Sequence, residues 1–537
     1  MDVLLTDADI VTMAVGDSPA RSMLVRDGRI VAVGPAERVH AAAEPGVRVM
    51  GLVGAAVIPG LIDAHCHLCD VGYLASGADC SQPAAPDIPA IAARLRDAAA
   101  GTPEGSWVTG SGYAEYKLRE GRHPTRADLD TAVPGRPAIL YHTSLHACVL
   151  NTPALREAGI DDRQPDPPGG QFGRDREGQL DGVIYEGPTF TLLWSGMRRD
   201  VARMSAAAQA GFVARAAQHF AALGVTAACD ADTLRESLTA YTEADERGML
   251  GVRINGLVVN DEADWLLGSG LRGRRSPRLA AESVKIWADG GMSSRTAAIH
   301  GSYPVPPYGS GIMYFSRGEL TEMVTEFDAR GLQVCIHAQG DRAIETVLDV
   351  YAAVLGSRSG NRLRHRIEHG GSLFAPLAAR AASLGIAVAA QPGMLSILGD
   401  GFAEALPERS DELYAYASWR RAGIRVAGSS DAPVITADPL VGIRDAVLRQ
   451  TGSGRVLGPG EQLAVRDALA LYTTEAAFAM HRERDIGSLE PGKLADFVVL
   501  DRSPLDTEPE RITDIRVLAT VVGGQPVFQA DDSPFRR

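Results

Sequence analysis

The sequence predicts a TIM-like (β/α)8 barrel with a composite β-sandwich built from both chain ends and a lid domain inserted after the first barrel strand. Three observations predict it. Eight short apolar strand candidates alternate with Ala-rich helical stretches through the middle of the chain. Their spacing suits βα units everywhere except after the first, where roughly 130 residues are in excess. Both ends read as short strands separated by turns. A doubly wound open sheet is the alternative fold.

At the N-terminus, DVLLTDADIVTM, SMLVRDGRIVAVG and VRVMGLVGAAVIPG carry strand-like apolar runs, and Asp27-Gly28 marks a hairpin. The barrel-strand candidates are then VIPGLI (57–62), GVTAACD (224–230), VRINGLVV (252–259), VKIWA (284–288), LQVCIH (332–337), RHRIEH (364–369), IAVAAQ (386–391) and IRVAGS (424–429). Residues 202–224 and 342–356 have helical composition and period. The Pro- and Gly-rich surplus, about 70–200, follows the first strand and is expected over the C-terminal mouth of the barrel, where active sites lie. GKLADFVVLD and IRVLATVVGGQPVF return to short strands at the C-terminus. The expected domains are 1–56 plus 487–537 for the sandwich and 57–486 for the barrel.

Composition narrows the function. The 537 residues are 45% hydrophobic and 22% charged, with a net charge of −14. No dense basic stripe appears, which excludes nucleic acid as the expected partner. No apolar run reaches the ~20 residues of a membrane span, and the N-terminus lacks the basic segment of a secretory signal. The six cysteines, at 66, 69, 80, 148, 229 and 335, form no framework, so reduced thiols and a cytoplasmic location are expected. The expected partner is a small-molecule substrate, with a homodimer among the assemblies open to the chain.

Polar outliers stand at the strand ends. His65 and His67 follow the first strand; their i, i+2 spacing puts both imidazoles on one side of an extended chain, within reach of one metal ion. Lys285 lies in the fourth strand among apolar residues, His337 ends the fifth, His369 ends the sixth and Asp431 follows the eighth. Taken singly, each has an ordinary reading: a polar turn, a snorkelling edge lysine, a hydrogen-bonded core histidine, an Asx-turn. Their coincidence on one face of a barrel points to zinc or a similar divalent ion.

PGLIDAHCHL, VKIWADG, IHAQGDRA, RIEHG, GSSDAP and GSLEPGKLADFVVLD resemble the amidohydrolase superfamily of metal-dependent hydrolases. HPTRADLD, RPAIL, HACVLNTPALREAGI and SSRTAAIHGSY are similar to its amidohydrolase 3 branch, which contains N-substituted formamide deformylases. The resemblance implies His65, His67 and Asp431 as ligands of one metal and His337 and His369 as ligands of a second, with Lys285 bridging them as an N-carboxylated lysine. It implies one or two Zn2+ ions and hydrolysis of a C–N bond by activated water, with Asp431 as proton acceptor; His146 from the lid is a candidate oxyanion donor, the alternative being a structural histidine of the lid. Leu145 departs from the pattern, since branch members often carry Gly there.

Arg295, Trp107 and Tyr113 are candidate substrate-binding residues, whereas Glu186 receives no role. The leading reading is an amidase-type hydrolase of a small molecule. The alternatives are cyclic amide hydrolysis, deamination, decarboxylation or isomerisation on the same scaffold, and a non-catalytic binding protein.

Overall fold

The structure is a computed structural model that describes residues 2–16, 19–167, 170–304, 309–356 and 360–536. Eight parallel strands form the barrel wall: β1 (Leu61–Cys66), β2 (Val225–Thr233), β3 (Arg253–Val259), β4 (Leu279–Trp287), β5 (Gln333–Ala338), β6 (Arg366–His369), β7 (Ala387–Ala390) and β8 (Val426–Gly428). Seven of them are buried along their whole length, and β4 along most of it. Parallel strands covered on both faces carry near-continuous apolar sequence, as β7 and β8 do, whereas β1, β2 and β6 also carry buried polar residues.

Strand pairing runs unbroken from β1 to β8. The seam between the last and the first is held by residues just beyond the end of β8. Asp431 N donates to His65 O at 2.7 Å, and His67 N donates to Ala432 O at 2.8 Å. The buried Asp63 carboxylate accepts from Ser430 N at 3.0 Å and from Ser430 Oγ at 2.5 Å.

The first strand begins later than the sequence suggests. Ala56–Pro59 pairs antiparallel with Phe497–Leu500 and parallel with Asp9–Ile10, so it belongs to a small five-stranded sheet rather than to the barrel. The changeover is at Gly60, where a Cβ would lie 2.1 Å from Thr226 Oγ1. Only glycine lets the chain cross so close to β2. The expected boundary at 56/57 therefore cuts through a strand. The five-stranded sheet joins strands from both ends of the chain and shares a core with a four-stranded sheet of Val3–Thr6, Ser22–Arg26, Arg29–Gly34 and Arg48–Gly51. Asp27 and Gly28, both with positive φ, make the hairpin turn between two of these strands.

Between β1 and β2 the chain builds a six-stranded sheet from Ala78–Asp79 to Leu180–Glu186, flanked by Ile88–Gly101 and Gly187–Ala202, before the helix Ala206–Ala222 returns to β2. Within this sheet, Ala138–His142 and Ala147–Leu150 pair antiparallel, and the turn joining them reaches the barrel. Among the described residues no helix is long and apolar enough to cross a membrane. All six cysteines are free and buried.

A buried ion pair joins the small sheet to β3. Arg253 Nε and its terminal amine donate to the two oxygens of Asp496 at 2.6 and 2.8 Å, and Asp496 also accepts from Gly523 N at 2.7 Å. Both side chains are at most 3% exposed. Asp496→Ala leaves Arg253 charged and unpaired, and is expected to cost about 3–5 kcal/mol in denaturant unfolding. A loss below about 1 kcal/mol would show that the two parts do not depend on this pair.

Candidate active site

The residues singled out at the strand ends converge in one buried cluster. His65, His67 and Asp431 place their donor atoms within 4.8 Å of one another. Asp431 Oδ1 lies 3.3 Å from His65 Nε2 and 3.0 Å from His67 Nε2. Lys285 Nζ is 3.5 Å from His65 Nε2 and 4.2 Å from the centre of the Trp287 ring. The His369 ring centroid is 4.8 Å from that of His65 and 4.5 Å from that of His337, which stacks on Trp287.

Each imidazole is oriented from behind. His65 Nδ1 bonds Glu368, His67 Nδ1 bonds Ala231 O at 2.8 Å, and His369 Nδ1 bonds Gln391 Oε1 at 2.8 Å. These bonds fix the rings and leave the Nε2 edges for the cluster. His369 Nε2 and His337 Nδ1 are buried without a hydrogen-bond partner. Anchored imidazoles with unsatisfied inner nitrogens are the arrangement that metal-ligating histidines require. Lys285, fully buried, makes no ion pair with a carboxylate among the described residues. The donor set therefore fits a divalent cation.

Charge in the cluster follows from burial and neighbours. Burial pushes the His369 imidazole down to about 3, and His337 also lies well below the ordinary histidine range. Both are neutral, the form that offers a lone pair. For Asp431, burial alone would favour the acid form, but hydrogen bonds from His65 and His67 hold it well below the carboxylate range. Burial likewise opposes ionisation of Glu368, yet the adjacent Arg366 and His65 bring it to about 2. His67 rises to about 9 despite its burial because Asp431, Asp232 and Asp70 surround it. Burial raises Asp70 itself to about 8.

The lid closes over this cluster with Ser144, Leu145, His146, Phe190, Leu193 and Trp194, which line one enclosed cavity together with His67, His337, His369 and Asp431. His146 Nδ1 lies 2.7 Å from Glu186 Oε2. A Cβ on Gly291 would come within 3.2 Å of His146 Nε2, so glycine keeps that edge clear. Leu145 has φ 58°, the left-handed region in which glycine is at ease. Here leucine holds that conformation and adds its side chain to the cavity wall. Glu186, Asp232, His369 and Asp431 also have φ between 60° and 71°. Such strain, of order 1–3 kcal/mol per residue, persists where surrounding contacts over-determine it.

Trp107, Tyr113 and Arg295 are not among the described residues that line this cavity. Trp107 donates its indole N–H to Glu157 at 2.8 Å and packs beside Arg199, in a surface pocket away from the metal cluster. Tyr113 is buried in the core of the lid sheet, and its hydroxyl lies 2.9 Å from His123 Nδ1. Arg295 follows the cavity-lining loop but reaches outward to Glu404 at 3.4 Å. In each case a local partner turns the side chain from the cavity. The sequence reading also passed over Glu186, Glu368 and Gln391, which position histidines of the site. Glu368 alone left a visible signal, as an acid directly before the candidate ligand His369.

Residues 48–528 match the Amidohydrolase family. The chain is 30% identical to an N-substituted formamide deformylase of Arthrobacter pascens, with 97% of each chain covered. It is also 30% identical to the LONG AFTER FAR-RED 3 protein of Arabidopsis thaliana, covering 98% of this chain and 91% of that one. Among solved structures, an uncharacterized metal-dependent hydrolase from Pyrococcus horikoshii superposes with a TM-score of 0.77 at 25% identity, over 95% of this chain and 99% of the other. The family match and the deformylase relative support a hydrolase acting on carbon–nitrogen bonds. The chain belongs to the amidohydrolase family.

Replacing Glu368 by Gln frees His65 from its charged anchor. We expect divalent-metal affinity to fall about 10–100-fold, measured by chelator competition. An unchanged affinity would show that Glu368 does not orient His65 for a metal.

Proposed function

We propose that this enzyme hydrolyses the amide of an exocyclic nitrogen, an N-formyl or short N-acyl amine, in a small molecule whose N-substituent is uncharged and apolar. The observation that carries the reading is the cavity itself. Its walls include Leu145, Phe190, Trp194, Met292, Met394 and Phe402, and among the described residues that line it none is an arginine or a lysine. Among the described residues that line it, positive charge falls only on the imidazoles of the site, and a substrate carboxylate would lie beside Asp232 and Asp431. The deformylase relative makes N-substituted formamides the first substrates to try.

The proposed cofactor is zinc, one ion or two, held by His65, His67, Asp431, His337 and His369. Lys285 would serve as a carbamate, which turns a buried cation into an anion with two ligand oxygens. When bound, the metal supplies Lewis acidity that makes water a nucleophile near neutral pH. Asp431, kept ionised by its histidine partners, accepts the proton of the attacking water and passes it to the departing nitrogen. His146 donates from Nε2 to the carbonyl oxygen as negative charge gathers there. Burial would deprotonate His146, but the charge and hydrogen bond of Glu186 raise its pKa above the ordinary value, favouring the form protonated on both nitrogens. The apolar lid excludes bulk water. Reduced buried cysteines support a cytoplasmic location, and a homodimer is the proposed assembly.

The test is release of formate and amine from a panel of N-substituted formamides by zinc-replete protein. Asp431→Asn should lower kcat by at least about 10³-fold. Aryl or alkyl substituents should exceed carboxylate-bearing ones by about 100-fold in kcat/KM. No release from metal-replete protein would overturn the formamide assignment, and a preference for the carboxylates would overturn the reading of the cavity.

A further inference from the structure

Glu186 is a heavily engaged side chain of the site outside the donor cluster. It is fully buried and ends the lid strand Leu180–Glu186, with φ 63° and ψ −134°. That backbone region is one that residues with a Cβ rarely adopt. Its carboxylate gathers four donors from three separate stretches of chain. His146 comes from the lid turn at 2.7 Å. Ser294 at 3.2 Å and Thr296 come from the loop after β4. Tyr314 reaches in at 2.6 Å from a segment whose own N–H bonds Ala288 O. A carboxylate so placed does more than fill a polar gap. It holds the Nδ1 edge of His146 and leaves Nε2 as the edge beside Gly291. It also ties the lid strand to the loop that follows β4.

We propose that Glu186 is the positioning residue of His146 and the latch that fixes the lid against the β4 loop, so that His146 meets the substrate carbonyl in one orientation. The inference rests on the functional reading above, in which His146 acts on substrate. Two donors from outside the lid, Thr296 on Oε1 and Tyr314 on Oε2, also hold the carboxylate, so its position does not depend on His146 alone. The strained backbone is understandable on the same basis. A relaxed residue at the start of the Gly187–Ala202 helix would direct its side chain elsewhere, and the contacts to three segments are what hold this conformation.

A double-mutant cycle in the zinc-replete enzyme tests this, with Glu186→Ala, Glu186→Gln, His146→Gln and the Glu186→Ala/His146→Gln pair. Glu186→Ala and His146→Gln should each lower kcat by about 10²–10³-fold while KM moves less than about threefold. The pair should be no more than about threefold worse than either single variant, because both remove one function. Glu186→Gln, which keeps the shape and an acceptor oxygen, should recover at least tenfold over Glu186→Ala. Multiplying effects, or a Glu186→Ala enzyme within twofold of wild type, would overturn the proposal.

If wild type hydrolyses no amide, the functional reading fails by itself, and the crystal structure of Glu186→Ala then decides the positioning. A His146 ring turned or spread over several rotamers supports it, and an unmoved ring overturns it. Should Glu186→Ala not fold, Glu186→Gln takes its place in the cycle and in the crystal.

Discussion

The site depends on how β1 meets β8. Strand pairing carries the sheet from β1 round to β8, and the joint is made by backbone beyond the end of β8, where Asp431 N bonds His65 O and His67 N bonds Ala432 O. These two hydrogen bonds, of 2.7 and 2.8 Å, lie on the very residues whose side chains converge. His65 and His67 leave the same side of an extended chain, and Asp431 returns toward them through a left-handed backbone turn. Asp63, two residues before His65, secures the joint from below by accepting both Ser430 donors. Burial raises the Asp63 carboxyl to about 6 even against those hydrogen bonds, a measure of how dry the seam is. A movement there would displace three donors together.

Burial then decides the chemistry of the rest. Groups that would be charged in water are made neutral or paired: His337 and His369 lose their protons, Glu368 is held by Arg366, and Asp431 by two imidazoles. Lys285 is the exception, with no carboxylate partner among the described residues, and it stands at the centre of the histidines. The barrel thus supplies the donors, while the lid supplies His146 and much of the apolar wall. This division follows the general rule for such barrels, in which the wall presents the chemistry and the loops select the substrate.

Much of this was legible in the sequence because a strand buried on both faces reads as an apolar run, and a polar residue at its end stands out. His65, His67, Lys285, His337, His369 and Asp431 were visible for that reason. The start of β1 was not, because Ala56–Cys66 is one apolar stretch and the change of sheet at Gly60 is set by Thr226, far away in the chain. Trp107 and Tyr113 read as pocket aromatics only because composition cannot show that Glu157 and His123 hold their polar ends. Glu186 was opaque for a similar reason. Its partners lie 40 to 128 residues away, and nothing local marks the position beyond an acid before Gly187-Pro188.

The central claim is that the seam and the histidine cluster form a metal centre. The most direct measurement is anomalous diffraction at the zinc edge from crystals of zinc-reconstituted protein. We expect a peak bonded to His65 Nε2, His67 Nε2 and Asp431, with any second peak at His337 and His369. Zinc only at surface sites, with His65 and His67 still paired to Asp431 alone, would contradict it.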